Sequence, residues 1–259
     1  MGVAALKQGK RIVGTMIRLV RNPAIARVAG QAGLDFVMFD MEHGSYSLDV
    51  LSDIFAVARP AGVAGFVRVP ELSKGYVSRV MDAGAVGVMV PMLESVEQAR
   101  QFADWAKYAP IGKRGFGSAG GHTNYAAASD AAGFMKAANA ETLTIAQIET
   151  GQAVERIDAI AAVPGIDALL IGPNDLAISL GYPGDLMNPA VTAAIGKVAD
   201  AARTHGKIFG MHGPDPLTEM FIPQGLRLIM SGLDHGMLLT AMKAVAAKWA
   251  GPKAGSTTA

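Results

Sequence analysis

Apolar runs about the length of a β-strand recur along the chain, and each is followed by a stretch with helical spacing of apolar residues. The runs predict eight strands, at residues 11–17, 35–41, 64–69, 86–92, 142–149, 168–172, 207–212 and 226–230. The intervening stretches predict helices at residues 24–32, 48–58, 74–83, 96–108, 153–162, 175–180, 190–205, 216–221 and 234–250. The chain is therefore a succession of βα units.

Residues that begin and end helices stand where this pattern requires them. Asn22 and Pro23 precede the first helix as a cap and a first-turn proline. Ser95 opens the fourth helix, and Gln98 follows at the capping-box spacing. Gly33 comes directly after the first helix, as a left-handed stop. Local signals and hydrophobic period thus agree on the same elements.

Strands that alternate with helices require a parallel sheet, and about 250 residues is typical of a (β/α)8 barrel. We predict an α/β chain with this TIM-barrel fold, a single domain over residues 1–252 and a flexible tail at 253–259. The main rival is a doubly wound open sheet with a Gly-x-Gly-x-x-Gly after its first strand. No such motif is present there, and the glycine-rich stretch at 110–124 follows the fourth helix instead.

Composition narrows the class of protein further. The 259 residues are 51% hydrophobic and 17% charged, as expected of a globular chain. The net charge of +1 gives no reason to expect nucleic acid or an anionic membrane as a partner. The absence of cysteine excludes thiolate nucleophiles and cysteine-ligated zinc. The amino terminus lacks the apolar core of a signal peptide, so we expect a cytoplasmic protein.

Charged residues collect at the carboxyl ends of the predicted strands, which in a barrel form the active-site mouth. Asp40, Glu42 and His43 end the second strand, and Arg68 ends the third. Glu149 ends the fifth. Asp175 lies just past the sixth, and with Glu149 it makes a pair of hard oxygen ligands suited to Mg²⁺ or Mn²⁺. Taken singly, each of these two carboxylates could instead be a structural residue at the start of a helix, where a negative charge is favoured.

The other candidates have roles that follow from their chemistry. His43 is the natural general acid–base, because histidine is the side chain suited to proton transfer near neutral pH, although a structural histidine is the alternative. Arg68 offers a planar fork for a carboxylate or enolate oxygen, or forms a surface ion pair. Gln147 faces the same side as Glu149 by strand alternation. Glu42 is either a third metal ligand or a hydrogen-bond anchor.

Six segments together resemble the HpcH/HpaI family of metal-dependent class II pyruvate aldolases. They are FDMEHG (39–44), VRVP (67–70), VMDAGAVGVMVPM (80–92), KRGFGS (113–118), AQIET (146–150) and LIGPNDLAISLGYPG (170–184). The resemblance is weaker in the last quarter of the chain. There the seventh strand carries Met211 and His212, where the relatives are more aliphatic and lack a histidine. That region lines the aldehyde side in the family.

The resemblance implies roles for individual residues. It implies Glu149 and Asp175 as ligands of a divalent ion (Mg²⁺, Mn²⁺ or Co²⁺), and His43 as an acid–base residue oriented by Asp82. Arg68 is implied to bind the ketoacid oxygen and to steady the enolate. The remaining substrate contacts are implied to be Gln147, Asn174, Asp175 and Met211. Family members are typically hexamers whose last helices pack across subunits, so we expect a homo-oligomer of this kind.

The implied reaction is reversible aldol addition and cleavage between pyruvate or hydroxypyruvate and an aldehyde, through a metal-stabilised enolate. An acyl-CoA lyase of the citramalyl- or malyl-CoA type is the alternative enzyme. It would need a basic patch for CoA phosphates, and the long loop offers only Lys113 and Arg114. A non-catalytic barrel that holds an anion with the glycine-rich loop is a further alternative. Schiff-base chemistry is disfavoured because no strand clearly ends in lysine.

Overall fold

The computed structural model describes residues 2–250, which form a closed barrel of eight parallel strands. Each strand pairs with the next along the chain, and β8 closes the ring by pairing with β1. The strands are β1 Ile12–Ile17, β2 Phe36–Asp40, β3 Ala64–Arg68, β4 Gly87–Val90, β5 Leu143–Ile148, β6 Ala168–Ile171, β7 Ile208–His212 and β8 Leu226–Leu233. The predicted (β/α)8 fold is confirmed.

Helices connect the strands and form the outer layer. They are α1 Gly2–Lys7, α2 Ile25–Gln31, α3 Leu48–Ala58, α4 Lys74–Ala83, α5 Val96–Ala106, α6 Ala131–Glu141, α7 Gly151–Glu155, α8 Ile157–Ala161, α9 Pro173–Ser179, α10 Pro189–Thr204, α11 Asp215–Phe221 and α12 Asp234–Trp249. The capping box of α5 is formed by Ser95 and Gln98, as its spacing predicts.

The structure differs from the sequence prediction in three elements. Helices α1 and α6 were not predicted. Helix α1 has only six residues, and none of the α6 residues is buried, so neither carries a long apolar stripe. The single helix predicted over 153–162 is two helices, α7 and α8, which meet at Arg156. The predicted tail at 253–259 lies outside the described residues.

The core has two layers because alternate residues of every strand face opposite sides. One set fills the barrel interior and includes Met38 and Met89, while Val37 and Phe39 belong to the set that packs against the helices. Strands β2 and β3 are buried along their whole length, as expected for a parallel sheet covered on the outside and filled within. Val3 and Leu6 of α1 extend the inner set at the amino-terminal rim.

Two stacked aromatic rings set part of the interior packing. The rings of Phe36 and Phe66 lie 4.9 Å apart between their centroids. A Cβ atom at Gly14 would lie 2.6 Å from the Phe36 ring, and one at Gly87 would lie 2.5 Å from the Phe66 ring. Each glycine therefore makes room for a ring from a neighbouring strand.

The last helix is the exception to this burial. Of the residues of α12, only Asp234 is buried, and Met242 and Trp249 are 64% and 76% exposed. Across residues 2–250, no helix combines the length and the apolar character required to cross a lipid bilayer.

Candidate active site

Strand alternation carries charged side chains into the mouth of the barrel. Phe66 of β3 faces the interior, so Arg68, two residues later, faces the same way at the strand's carboxyl end. Asp40 follows Met38 in β2 by the same rule, and the register pairs Asp40 with Arg68. The two side chains therefore meet at the catalytic rim.

Asp40 is held from several sides. Its Oδ1 accepts a hydrogen bond from Arg68 Nε at 2.8 Å, and its Oδ2 accepts one from Arg68 Nη2 at 2.7 Å. Arg18 Nε donates to the same Oδ2 at 2.6 Å. The backbone amides of Glu42 and His43 donate to Oδ1 at 3.1 and 3.4 Å. Burial alone would raise the pKa of Asp40, but Arg68 and Arg18 hold that pKa below its usual value.

Glu149 has a different environment at the end of β5. Its Oε1 accepts from the Met92 amide at 2.8 Å, and its Oε2 accepts from Gln147 Nε2 at 2.5 Å. Met92 has a φ of 51°, a left-handed conformation that is uncommon for methionine and often found at functional sites. The side chains of Glu149 and Gln147 are thus fixed by each other and by a strained turn.

The electrostatics of Glu149 point to missing positive charge. Burial, together with the negative charges of Asp175 and Glu42, raises the pKa of Glu149 to about 7. The Met92 amide and Arg68 only partly oppose this rise. Gln147 Oε1 is buried and has no hydrogen-bond partner within residues 2–250. An uncharged amide oxygen and two carboxylates therefore share a region in which Arg68 offsets only part of the negative charge.

Gly172 gives this region its space. A Cβ atom at this position would lie 2.5 Å from Glu149 Oε2 and 2.8 Å from Gln147 Nε2, so a side chain would collide with both. Pro173 then begins α9, and Asp175 lies in its first turn. In the described part of the chain, no group of three histidine or carboxylate residues is arranged to hold a metal ion. The pair Glu149 and Asp175 leaves most coordination positions open.

A cavity of about 170 Å³ opens above these residues. It is lined by Met16, Arg18, His43, Arg68, Met89, Gln147, Leu170, Gly172, Pro173, Asn174, Asp175, His212, Met230 and Leu233. A larger cavity, of about 520 Å³, opens where β3 and β4 begin, and none of the predicted site residues lines it. The charged and polar groups suited to chemistry lie in the smaller one.

His43 and Glu42 complete the rim beside β2. The His43 side chain is 54% exposed, and its Nε2 lies 3.9 Å from Glu42 Oε2. That same Glu42 oxygen lies 2.7 Å from Arg68 Nη1. Burial raises the pKa of Glu42, against the opposing charge of Arg68. The structure therefore makes Glu42 an ion-pair partner of Arg68, a role different from both alternatives that the sequence left open.

Asp82 does not join His43 within one chain. It lies at the end of α4, which leads to the start of β4 and hence to the opposite rim of the barrel. Its carboxylate accepts from Arg114 Nη2 at 2.6 Å, and its side chain is half exposed. Within one chain the structure therefore does not bring Asp82 to His43, because a helix of ten residues separates the two rims.

Met211 is also corrected as a side-chain contact to substrate. It is fully buried in the layer between strands and helices and does not line the mouth cavity. His212, the next residue in β7, lines the cavity instead. Its Nε2 lies 3.3 Å from the Gly232 carbonyl oxygen, and burial lowers the pKa of His212. His212 is accordingly a neutral wall of the site.

Two further residues were missed by sequence reasoning. Arg18, at the end of β1, shares Asp40 with Arg68. Asp234, at the start of α12, accepts hydrogen bonds from the amides of Arg18, Leu19 and Val20 and so fixes the loop after β1. Their positions directly after β1 and β8 are the available signal, since all strand ends face the same rim.

The lysines that are most buried lie at the other rim. Lys107 Nζ lies 2.6 Å from Asp167 Oδ2, and Lys207 Nζ donates to the Ile166 carbonyl at 2.8 Å. Burial lowers the pKa of both lysines. Asp167 and Ile166 precede β6, so both amines are remote from the mouth, and no lysine lines its cavity among the described residues. A Schiff-base nucleophile is therefore not provided.

Comparison with known proteins agrees with this geometry. The sequence model of the HpcH/HpaI aldolase/citrate lyase family matches residues 17–241. A hydroxypyruvate/pyruvate aldolase of Roseobacter denitrificans is 31% identical over 95% of both chains. A 4-hydroxy-2-oxovalerate aldolase of Novosphingobium aromaticivorans is 37% identical over 89% of this chain and 87% of its own.

Solved structures show the same relationship. The crystal structure of an HpcH/HpaI aldolase from Desulfitobacterium hafniense superimposes with a TM-score of 0.90 at 35% identity. The match covers 96% of this chain and 97% of that one. The barrel is thus shared with these aldolases, and the chain belongs to the HpcH/HpaI aldolase/citrate lyase family.

Proposed function

We propose that the chain is a divalent-metal-dependent aldolase that joins a 2-oxoacid donor, pyruvate or hydroxypyruvate, reversibly to an aldehyde. The observation that carries the proposal is the buried carboxyl of Glu149 with the exposed carboxyl of Asp175 near it, where Arg68 only partly offsets the negative charge. The names of the relatives, all 2-oxoacid-type aldolases, support the same reaction class.

The donor atoms at the mouth fit a hard divalent cation. Glu149 and Asp175 would hold it, with the unpartnered Gln147 Oε1 directed at the ion or at a water beside it. Class II aldolases of the family are generally divalent-metal dependent, and oxygen ligands suit Mg²⁺, Mn²⁺ or Co²⁺. When bound, the cation supplies Lewis acidity to the oxygens of the 2-oxoacid.

Arg68 holds positive charge where negative charge develops on the donor. Its Nε and Nη2 are tied to Asp40, which orients the guanidinium plane toward the cavity. A preorganised donor of this kind stabilises an enolate oxygen without reorganising during the reaction. The backbone amides at Asn174 and Asp175 lie at the same wall and would bind the donor carboxylate.

His43 is the proposed acid–base residue for the aldehyde oxygen. Its imidazole is half exposed at the rim of the cavity, where it would give a proton to the new alkoxide and take it back in cleavage. Glu42, 3.9 Å away, is the group nearest to orient the ring within one chain. A role for Asp82 beside His43 requires a second subunit, because Asp82 lies at the opposite rim.

The acyl-CoA lyase alternative has less support. The relatives compared above are named aldolases, and the mouth cavity of about 170 Å³ carries two arginines that are both tied to Asp40. The test is turnover of pyruvate with a small aldehyde by protein treated with EDTA and then given Mg²⁺, Mn²⁺ or Co²⁺. We expect loss on chelation and recovery with metal; full activity in chelator would refute the proposal.

We also propose a closed homo-oligomer, with a hexamer as the expected form. Helix α12 exposes Leu239, Met242, Val245 and Trp249. An exposed apolar patch of this kind is typical of a protein–protein contact surface. Light scattering at micromolar concentration tests this, and a monomer would contradict it. The cytoplasmic location stays a prediction.

A further inference from the structure

Arg18 stands at the mouth with most of its hydrogen-bonding capacity unused. Its Nε donates to Asp40, and within residues 2–250 no side-chain partner is present for Nη1 or Nη2. A guanidinium has five N–H donors, so the four N–H groups of Nη1 and Nη2 remain, two of them on the Nη1–Nη2 edge. The Arg18 side chain is 30% exposed and lines the cavity.

The backbone that carries Arg18 is fixed in advance. Asp234 accepts from the amides of residues 18, 19 and 20 at 3.0, 2.9 and 2.8 Å. The Tyr46 hydroxyl donates to the Val20 carbonyl at 2.7 Å. Because the loop is held at both ends, a ligand of Arg18 orders only one side chain, which lowers the entropic cost of binding.

The barrel places Arg18 across from the donor. In a ring of eight strands, β1 lies opposite β5, and the proposed ligands of the cation end β5 and follow β6. An aldehyde that meets a donor on the β5–β6 side therefore extends toward β1 and β8. Met230 and Leu233 of β8 line the cavity between the two sides and provide an apolar surface for a short carbon chain.

Charge around the mouth favours an anion at this position. Arg68 is opposed by both Asp40 and Glu42, whereas Arg18 shares only Asp40. His212, whose pKa is lowered by burial, donates through Nε2 to the Gly232 carbonyl and presents no competing charge. Arg18 is thus the cation of the cavity with a free edge, and that edge matches the two oxygens of a carboxylate.

We propose that Arg18 recognises the acceptor, and that the acceptor is an aldehyde carrying a carboxylate on a short chain. This specificity rests on the aldolase function proposed above and adds the chemical class of its second substrate. The carboxylate would bind the Nη1–Nη2 edge of Arg18 while the aldehyde carbon lies toward the donor. Arg18 acts here in binding and takes no part in proton transfer.

Two pairs of aldehydes test the proposal, with pyruvate as donor and the full chain loaded with Mn²⁺. Glyoxylate is compared with glycolaldehyde, and 4-oxobutanoate with butanal, so each pair differs in the carboxylate. The quantity is the ratio of kcat/KM for the charged to the neutral member. We expect a ratio of at least about 10 for one pair, and a fall of about 10- to 100-fold in Arg18→Met, mainly through KM of the aldehyde.

Further variants separate the fork from general charge. Arg18→Lys keeps the charge and loses the fork, so the ratio should fall to an intermediate value. Arg21→Ala removes an exposed positive charge from the same loop and should leave the ratio unchanged. Arg18→Gln serves as a second neutral variant, with melting temperatures measured for all. Asp40 remains paired with Arg68 in each, which supports folding.

Exchange of pyruvate methyl protons with D₂O distinguishes this proposal from the aldolase function. If exchange and aldehyde turnover occur but the native ratio is near one, the acceptor proposal alone is overturned. The same holds if the ratio survives in both Arg18→Met and Arg18→Gln. If the native protein neither exchanges pyruvate protons nor turns over any aldehyde, both proposals fail.

Discussion

Two groups of carboxylates share the catalytic rim and differ in what faces them. Asp40, on the β2 side, accepts hydrogen bonds from two arginines and two backbone amides. Glu149, on the β5 side, accepts only from neutral donors and faces Asp175. Burial acts to raise the pKa of both. The arginines reverse that effect at Asp40, whereas Asp175 adds to it at Glu149.

The difference between Asp40 and Glu149 shows which carboxylate has its charge balanced by other residues of the chain. The group around Asp40 is balanced by protein cations, so it holds Arg68 in place with or without a ligand. The group around Glu149 gains most from an external cation, because a divalent ion would offset the repulsion between the buried carboxylate of Glu149 and that of Asp175. The first group therefore orients Arg68, and the second is the one that we propose to bind the cation.

Replacing Glu149 or Asp175 should have the largest effect on metal binding and on aldol turnover. In Glu149→Gln or Asp175→Asn, a carboxylate that we propose as a metal ligand becomes a neutral amide of the same shape. We expect Mn²⁺ binding, measured by calorimetry, to be lost at concentrations that saturate the native protein. Aldol turnover should fall at least about 10³-fold, equivalent to roughly 4 kcal/mol.

The matched control is Glu155→Gln, an exposed carboxylate on α7, the helix that follows the same strand. It should bind Mn²⁺ like the native chain. If Glu149→Gln or Asp175→Asn also binds Mn²⁺ with native affinity, the pair is not the metal site.

Replacing Arg68, the partner of Asp40, should have the next largest effect, on the kinetics of pyruvate. Arg68→Lys keeps the charge but loses the two parallel bonds to Asp40. We expect kcat/KM for pyruvate to fall about 10²- to 10³-fold, while Mn²⁺ binding persists. Arg21→Lys, an exposed position, is the control. Unchanged pyruvate kinetics in Arg68→Lys would remove Arg68 from the site.

His43 lies at the rim beside β2, and its replacement should separate the two half-reactions. His43→Ala should lower aldol addition and cleavage by about 10²-fold, because the alkoxide loses a positioned proton donor. Exchange of pyruvate protons with D₂O, followed by NMR, should be less affected, since Arg68, Glu149 and Asp175 remain. His205→Ala, at the end of α10, is the control. An equal loss in both assays would make His43 the enolising base.

The smallest expected effect is on the pH dependence of the free energy of unfolding, to which Glu149 and Asp40 contribute in opposite directions. The raised pKa of Glu149 favours its neutral form when metal is absent, so its contribution is full below pH 4.5 and is lost as pH rises through about 7. This amounts to up to about 3 kcal/mol between those pH values. The lowered pKa of Asp40 acts in the opposite direction, since its contribution is present above its usual pKa and is lost on acidification.

Denaturant unfolding of metal-free protein from pH 5 to 8 measures this contribution. Glu149→Gln should flatten the decline toward pH 8, while Glu155→Gln should retain it. If the native decline survives in Glu149→Gln, another group titrates in this range. Added Mn²⁺ should also oppose the decline, because the cation binds the ionised carboxylate.

The sequence alone determined the barrel and the membership of its rim. Eight apolar runs with helical stretches between them leave few alternatives to a closed parallel sheet, and every strand end then faces one side. Pattern failed where burial is slight or the element is short, as in α6 and α1. The hydrophobic pattern also could not show which residues of β7 face the barrel interior. Both faces of that strand are buried, so apolar residues do not mark Met211 as outward and His212 as inward.

Only the tertiary structure decided which charges meet. Arg18 and Asp40 are 22 residues apart and become partners because β1 and β2 pair side by side. His43 follows the end of β2, and Asp82 lies at the end of α4. The sequence does not distinguish these two positions, but in the barrel they lie at opposite rims. The pKa of Glu149 depends on burial and on neighbours from other strands. A linear pattern records which groups are present, but Coulomb energy depends on distances that exist only in the closed barrel.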